Sequence, residues 1–116
     1  MQYLLLIYSA ESEDLMPGQD GWPEYMAEYG AFTKGIVETG EFKGGEALKP
    51  AATATSVRIR NGERLLTDGP FAETRETLGG FYLIEADTLD RAIEIASKIP
   101  TARFGTVEVR PIASYG

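Results

Sequence analysis

The segment that decides the fold is LLTDGPFAETRETLGG, residues Leu65–Gly80. Its two leucines are typical of a strand, which breaks at Asp68-Gly69-Pro70, because glycine adopts positive φ and proline disfavours the helical region for the residue before it. A strand resumes at the glycine pair. A simple chain reversal needs about two to five residues, whereas this connection uses roughly ten and carries acids, a base and threonines. Since binding residues concentrate on loops held by a scaffold, the loop is our candidate site.

A hairpin is predicted immediately before this loop. Asn61-Gly62 favours a type I′ turn, and it joins the alternating segment Ser56–Arg60 to the strand Glu63–Thr67. Four further segments are predicted as strands, the second of them short and irregular: Met1–Tyr8, Phe42–Lys49, Gly80–Ala86 and Gly105–Ile112.

Two segments have helical periodicity. The first begins at Trp22-Pro23, since proline is tolerated in a first turn, and ends at Gly40. The second follows the N-cap pair Asp87-Thr88 and ends at Pro100. The apolar stripes predicted to face the core are Tyr25, Tyr29, Phe32, Ile36 and Val37 in the first helix, and Leu89, Ala92, Ile93, Ala96 and Ile99 in the second.

With the hairpin set aside, the order of elements is βαββαβ. This order predicts a single α+β domain over residues 1–116 with a ferredoxin-like fold, in which both helices cover one face of an antiparallel four-stranded sheet. The other sheet face then needs a cover, and a homodimer is the simplest solution. The residues expected to make this surface apolar are Val57, Ile59, Val107 and Val109.

The composition excludes several kinds of site. The chain has neither cysteine nor histidine, which removes thiol chemistry, the commonest general base near neutral pH and the commonest zinc ligand. A net charge of −7 argues against direct binding to nucleic acid. No segment has the roughly 18 apolar residues of a membrane span, and no basic segment precedes an apolar one at the start. We therefore expect a cytoplasmic protein without a membrane or nucleic-acid partner.

Asp68 is the candidate catalytic residue. At a strand end, its carboxylate could act as a base or bind a cationic group, or it could instead hold its own turn through backbone N–H groups and border the main pocket. With Glu73 and Glu76 it could form an oxygen cluster for Mg²⁺ or Ca²⁺. The spacing is not that of an EF-hand and Arg75 intervenes, so we favour a solvated, self-paired loop and predict neither metal nor cofactor.

The other candidate residues surround this loop or end strands. Tyr8 offers a hydroxyl beside an apolar wall, and an arginine facing a cavity between subunits would bind an anion, although most such arginines pair with a neighbouring glutamate. Phe71 has the alternative role of anchoring the loop in the core, and Thr74 that of a cap or turn residue. The residues predicted to bind a small molecule are Tyr8, Arg58, Thr67, Asp68, Gly69, Pro70, Phe71, Glu73, Thr74 and Arg110.

Six stretches occur together along the chain: YLLLIY, YGAF, ATATSVRIRNGE, TDGPFAETRETLGGFYLIEA, LDRAIEIA and VEVRPI. They cover nearly the whole chain and resemble the YCII-related proteins of the DGPF type. The resemblance implies a ferredoxin-like domain assembled as a dimeric α+β barrel, and a gene neighbourhood shared with extracytoplasmic-function sigma factors. Better-studied relatives resemble enzymes with a His–Asp pair. That pair cannot form here, and Phe104 stands where relatives often carry histidine.

These observations predict a small-molecule binding or regulatory protein, linked to a sigma factor whose basic DNA-binding regions suit an acidic partner. The alternative is a cofactor-independent enzyme that uses Asp68 in a cleft of the dimeric barrel. A cavity lined by Asp68, Tyr8 and an arginine would favour ligand binding or catalysis. A solidly packed loop would favour a structural or protein-binding role.

Overall fold

The structure is a computed structural model, and it describes residues 1–115. Short 3-10 turns follow the first strand, the second strand and the second helix. The strands and helices are β1 (Gln2–Ser9), α1 (Trp22–Glu38), β2 (Phe42–Ala47), β3 (Thr55–Arg60), β4 (Glu63–Asp68), β5 (Thr77–Glu85), α2 (Leu89–Ser97) and β6 (Thr106–Pro111). Neither helix in this part of the chain combines the length and the apolar composition that crossing a bilayer requires.

Four strands form one antiparallel sheet in the order β2-β5-β1-β6. This order and the two helices confirm the predicted α+β, ferredoxin-like arrangement. Within residues 1–115 the remaining strands, β3 and β4, pair only with each other, and they form a separate hairpin. The molecule is flat, measuring 48 × 47 × 18 Å, with a radius of gyration of 16.1 Å. A compact domain of this length would have a radius of about 13 Å, so part of the chain projects from the body.

Buried and half-buried residues alternate along β1, and this alternation shows which sheet face the helices cover. Tyr3, Leu5 and Ile7 are buried, and they share the core with Ile36 of α1 and Ile84 of β5. Helix α2 completes the core with Ala92, Ile95, Ala96 and Ile99.

Two predicted helix stripes are partly wrong. Val37 is exposed, because the neighbouring Ile36 occupies the position that faces the sheet. In α2 the buried residues follow the spacing that includes Ile95, and this places Leu89 and Ile93 on the exposed flank. The periodicity identified both helices correctly, but it predicted a slightly wrong rotation of each helix about its own axis.

The local signals for turns and caps are confirmed. Asn61 and Gly62 both have positive φ, at 51° and 77°, as a type I′ turn requires. Gly40 ends α1 with a φ of 80°. Thr88 caps α2, since its hydroxyl oxygen accepts a hydrogen bond of 3.1 Å from the N–H of Arg91.

The strand after the candidate loop begins earlier than predicted. β5 starts at Thr77, which shortens the loop to residues 69–76. Ile7 pairs with Gly80 but Tyr8 pairs with Leu78, so Gly79 bulges out of the ladder.

The predicted composition of the open sheet face is wrong. Val107 and Val109 pair with Ile7 and Leu5, whose side chains face the helices, so both valines belong to the core side. Val57 and Ile59 lie on the separate hairpin. The face turned away from the helices, which we call the open face, instead carries Leu4, Leu6, Tyr8, Phe81 and Leu83.

A pair of charged side chains joins α2 to the turn after α1. Arg91 donates from Nε to Oε2 of Glu41 and from Nη2 to Oε1, both at 2.8 Å, and the hydroxyl of Thr39 donates to the same carboxylate at 2.7 Å. The hydrogen bonds from Arg91 lower the pKa of Glu41 from 4.5 to about 2.

We expect Glu41→Gln to lower the free energy of unfolding at pH 7 by about 1–3 kcal/mol, because it disrupts a charge-assisted pair. A carboxylate whose pKa falls on folding stabilises the folded state fully above pH 4.5. This stabilisation is lost as the pH drops toward 2. Urea denaturation should therefore show the difference from wild type shrinking between pH 4.5 and 2. The matched control is Glu38→Gln, since the exposed Glu38 lies 3.9 Å from Lys34. A difference for Glu41→Gln that is the same at every pH would contradict this account.

Candidate functional site

The turn at the start of the candidate loop is held by the base of the hairpin. Gly69 is buried with a φ of 90°, and its N–H donates to the carbonyl oxygen of Ala54 at 2.6 Å. The hydroxyl of Ser56 donates to the carbonyl oxygen of Gly69 at 2.8 Å. These two bonds fix the Gly-Pro break.

Asp68 does not have the predicted structural role. It ends β4 opposite Thr55, it is exposed, and within residues 1–115 its carboxylate accepts no hydrogen bond from the backbone. The N–H of Gly69, in the same turn, donates to the carbonyl oxygen of Ala54 instead. The expectation that Asp68 holds the turn and borders the main pocket is therefore wrong.

The rest of the loop is solvated. Phe71 is 77% exposed, so its alternative role as a core anchor is wrong; the loop follows a projecting hairpin, and no apolar surface of the body covers it. Thr74 is a turn residue, since its hydroxyl donates to the carbonyl oxygen of Glu76 at 2.5 Å. In the described chain, Asp68, Glu73 and Glu76 do not form a cluster able to hold a metal ion.

The remaining predicted residues lie on separate surfaces. Tyr8 belongs to the open face, and Arg58 and Thr67 lie on the hairpin. Arg110 pairs with Glu108 on β6. None of the predicted residues lines the main cleft of the protein, and their binding of a ligand stays a prediction.

The main cleft lies on the helix side of the sheet and has a volume of about 840 Å³. Its walls are the first half of α1, the segment after β1, the segment after β2, and strands β2 and β5. The apolar lining includes Ile7, Leu15, Met16, Trp22, Met26, Phe42, Leu48 and Leu78. We call it the tyrosine cleft, because Tyr25, Tyr29 and Tyr82 also line it.

Two tyrosines meet at one threonine inside the tyrosine cleft. The hydroxyl oxygens of Tyr25 and Tyr29 each lie 2.5 Å from Oγ1 of the buried Thr101, and the two rings pack edge to face at 5.3 Å. Burial raises the pKa of Tyr29 well above its ordinary value. The hydroxyl therefore stays protonated at physiological pH, and it can orient a ligand through hydrogen bonds.

Other polar groups of the cleft are also paired. Thr33 and Tyr82 share a hydrogen bond of 2.7 Å, and burial raises the pKa of Tyr82. The buried hydroxyl of Ser9 donates to Oδ1 of Asp14 at 2.6 Å. The N–H of Ala51 donates to Oε1 of Glu11 at 2.8 Å, which ties two segments of the cleft wall together. These bonds link the residues that line the cleft to one another.

The charges at the cleft are three carboxylates and one ammonium, from Glu11, Asp14, Glu46 and Lys49. The cleft lining within residues 1–115 includes no arginine. The surroundings therefore favour a neutral or positively charged ligand over an anion.

The tyrosine cleft has no marker in the sequence, because Tyr25 and Tyr29 follow the spacing of a core-facing helix stripe. The spacing of Tyr25 and Tyr29 shows that both rings point to the sheet, but not that they border an unfilled space. Thr101 directly follows Pro100, the residue predicted to end the second helix, and no sequence pattern marks it as a binding residue. Phe104 lies at the edge of this cluster, with its ring centroid 6.1 Å from that of Tyr25.

Comparison with known proteins places the chain in a family. Residues 1–115 match the family model described as the YCII-related domain. An uncharacterised protein of Rhizobium meliloti (strain 1021) is 37% identical over 117 residues, an alignment that covers 99% of this chain and 94% of that protein. The chain therefore belongs to the YCII-related family.

Proposed function

We propose that the protein binds a small molecule in the tyrosine cleft. The observation that carries this proposal is the cleft itself: an apolar space of about 840 Å³ lined by Tyr25 and Tyr29, and by Thr101, to which both of their hydroxyls are hydrogen-bonded. Clefts for small ligands typically have about 300–1,000 Å³, apolar walls and a few polar groups that fix orientation.

The ligand would be a neutral or cationic molecule with an apolar body. Aromatic rings from Trp22, Tyr25 and Phe42 can pack against such a body, and the tyrosine hydroxyls can bind one polar group on it. A cationic group would find the carboxylates of Glu11 and Asp14 at the wall. An enzyme using Asp68 has no comparable support, because that carboxylate is exposed and outside the cleft.

A regulatory role, with a sigma factor as partner, stays a prediction, and so do the cytoplasmic location and the homodimer. The net charge of −7 supports a basic partner over an acidic one. The apolar residues of the open face support a second copy of this chain as its cover.

We expect Met26→Glu to weaken binding of Nile red, a neutral apolar dye, by at least about tenfold, because a carboxylate would enter the apolar wall of the cleft. Fluorescence titration would measure the affinity, both from the dye and from Trp22, the single tryptophan of the chain and part of the cleft wall. The matched control is Val37→Glu, an exposed position on the same helix. Equal loss in both variants, or unchanged binding in Met26→Glu, would count against the proposal.

A further inference from the structure

Two buried polar side chains lie next to each other in the tyrosine cleft. Ser9 and Thr101 are each 4% exposed, and within residues 1–115 they are the polar residues that the fold buries. A Cβ at Gly105 would lie 3.1 Å from Cβ of Ser9 and 3.1 Å from Cγ2 of Thr101, so both side chains border the same point. Because the hydroxyls of Tyr25 and Tyr29 are hydrogen-bonded to Thr101, four hydroxyls gather in one part of an apolar cleft. We call these four groups the hydroxyl cluster.

A carboxylate is attached to the hydroxyl cluster from the segment after β1. The hydroxyl of Ser9 donates to Oδ1 of the half-buried Asp14 at 2.6 Å. Within residues 1–115, Oδ2 of Asp14 accepts no hydrogen bond, and no lysine or arginine pairs with this carboxylate. Removing a charge from water costs free energy, which a partner of opposite charge offsets. A positively charged group in the cleft would therefore be held at Asp14.

The other charged residues of the cleft are less suited to this role than Asp14. Glu11, Glu46 and Lys49 are all exposed, so water screens their charges. Glu11 is also engaged within the protein, because its Oε1 accepts a hydrogen bond of 2.8 Å from the N–H of Ala51. Asp14 is therefore the carboxylate that is placed to select the charge of a ligand.

We propose that the ligand of the tyrosine cleft is an organic amine whose ammonium group pairs with Asp14. This inference rests on the proposed function, and it narrows the ligand from a neutral or cationic molecule to a cation. The rings of Trp22 and Tyr25 line the same cleft, and aromatic faces attract cations as well as apolar groups. The oxygens of the hydroxyl cluster can accept hydrogen bonds from the ammonium, which only donates. An anion would be repelled by Asp14.

Three probes that share one apolar body and differ in charge test the amine: naphthylmethylamine, naphthylmethanol and naphthoate. Displacement of Nile red from the wild-type protein would measure their affinities at neutral pH. The amine should bind at least about tenfold more tightly than the alcohol, because its hydrogen bond to a carboxylate is charge-assisted. Naphthoate should bind most weakly of the three.

Asp14→Asn tests the residue that selects the charge. The substitution keeps the shape of the side chain and an acceptor for the hydroxyl of Ser9, but it removes the negative charge. It should reduce the affinity for the amine to that for the alcohol and leave the affinity for the alcohol unchanged. The matched control is Glu13→Gln, since Glu13 is exposed on the same segment and is not among the residues that line the cleft. This control should keep the preference for the amine.

NMR locates the ammonium without any variant, and so it applies even if Asp14→Asn fails to fold. In the wild-type protein the amine should shift the amide signals of both Asp14 and Tyr25, whereas the alcohol should shift only that of Tyr25. A shift of Asp14 that is the same for both probes would contradict the proposed ion pair.

The outcomes separate this inference from the proposed function. An alcohol that binds wild type as tightly as the amine would overturn the inference, and so would a preference for the amine that Asp14→Asn retains. Nile red binding without displacement by the amine would also overturn it, and would leave the proposed function intact. Failure of Nile red itself to bind would remove the proposed function, and the amine with it.

Discussion

Replacing Gly105 with alanine should lower the free energy of unfolding by about 3 kcal/mol, at the upper end of the usual cost of overpacking. A Cβ at this position would collide with the carbonyl oxygen of Tyr8 and would lie 3.1 Å from Cβ of Ser9 and from Cγ2 of Thr101. The first contact is with the backbone of β1, one of the two interior strands, which cannot move without disturbing the sheet. The N–H of Gly105 also donates to the carbonyl oxygen of Thr101 at 2.7 Å, so the same substitution would displace a residue of the tyrosine cleft.

Urea denaturation of Gly105→Ala and Gly44→Ala would measure this effect. Gly44 lies in β2, and a Cβ there would meet no atom within 4 Å. Gly44→Ala should therefore leave stability within about 0.5 kcal/mol of wild type, or raise it slightly through the unfolded chain. Similar stabilities for both variants would mean that the backbone of β1 lies farther from Gly105 than the structure shows.

Thr101→Val should lower the free energy of unfolding by about 2–3 kcal/mol. Valine keeps the shape of the side chain, but it leaves the hydroxyls of Tyr25 and Tyr29 without their shared partner. Because Thr101 is hydrogen-bonded to both tyrosines, Thr101→Val should lower the free energy of unfolding more than Tyr25→Phe or Tyr29→Phe does.

A double-mutant cycle separates this contribution from general damage to the core. Tyr29→Phe and Thr101→Val should be coupled by about 1 kcal/mol or more, because both changes remove the same hydrogen bond. Leu5→Val paired with Thr101→Val serves as the control, since Leu5 lies in the core and shares no hydrogen bond with Thr101. Additive effects of Tyr29→Phe and Thr101→Val would mean that the bond contributes nothing to stability.

The fold could be predicted because its signals are local. Asn61-Gly62 requires a turn of one type, and Gly40 and Thr88 mark helix ends through their own backbone and hydroxyl groups. The side of the sheet on which Val107 and Val109 lie could not be predicted in this way. Alternation along β6 gives two faces, and only the register with β1 shows which of them the helices cover.

The site could not be predicted because it depends on distant contacts. Thr101 lies 76 residues from Tyr25 and 72 residues from Tyr29 along the chain. Asp68 was the predicted residue because it precedes a Gly-Pro break. The break is held instead by hydrogen bonds with the hydroxyl of Ser56 and the carbonyl oxygen of Ala54. Polar residues on a glycine–proline frame mark a loop, whereas the cleft forms where a helix leaves space above the sheet.

The most direct test of the tyrosine cleft is to map a bound probe by NMR. Nile red titrated into ¹⁵N- and methyl-labelled protein should shift the indole N–H of Trp22, the methyl groups of Met26 and Ile7 and the amide of Tyr25, all of which belong to residues that line the cleft. The methyl groups of Leu4 and Leu83 on the open face should not shift. Shifts confined to the open face or the hairpin, or no shift at saturating dye, would contradict the assignment of the cleft as the binding site.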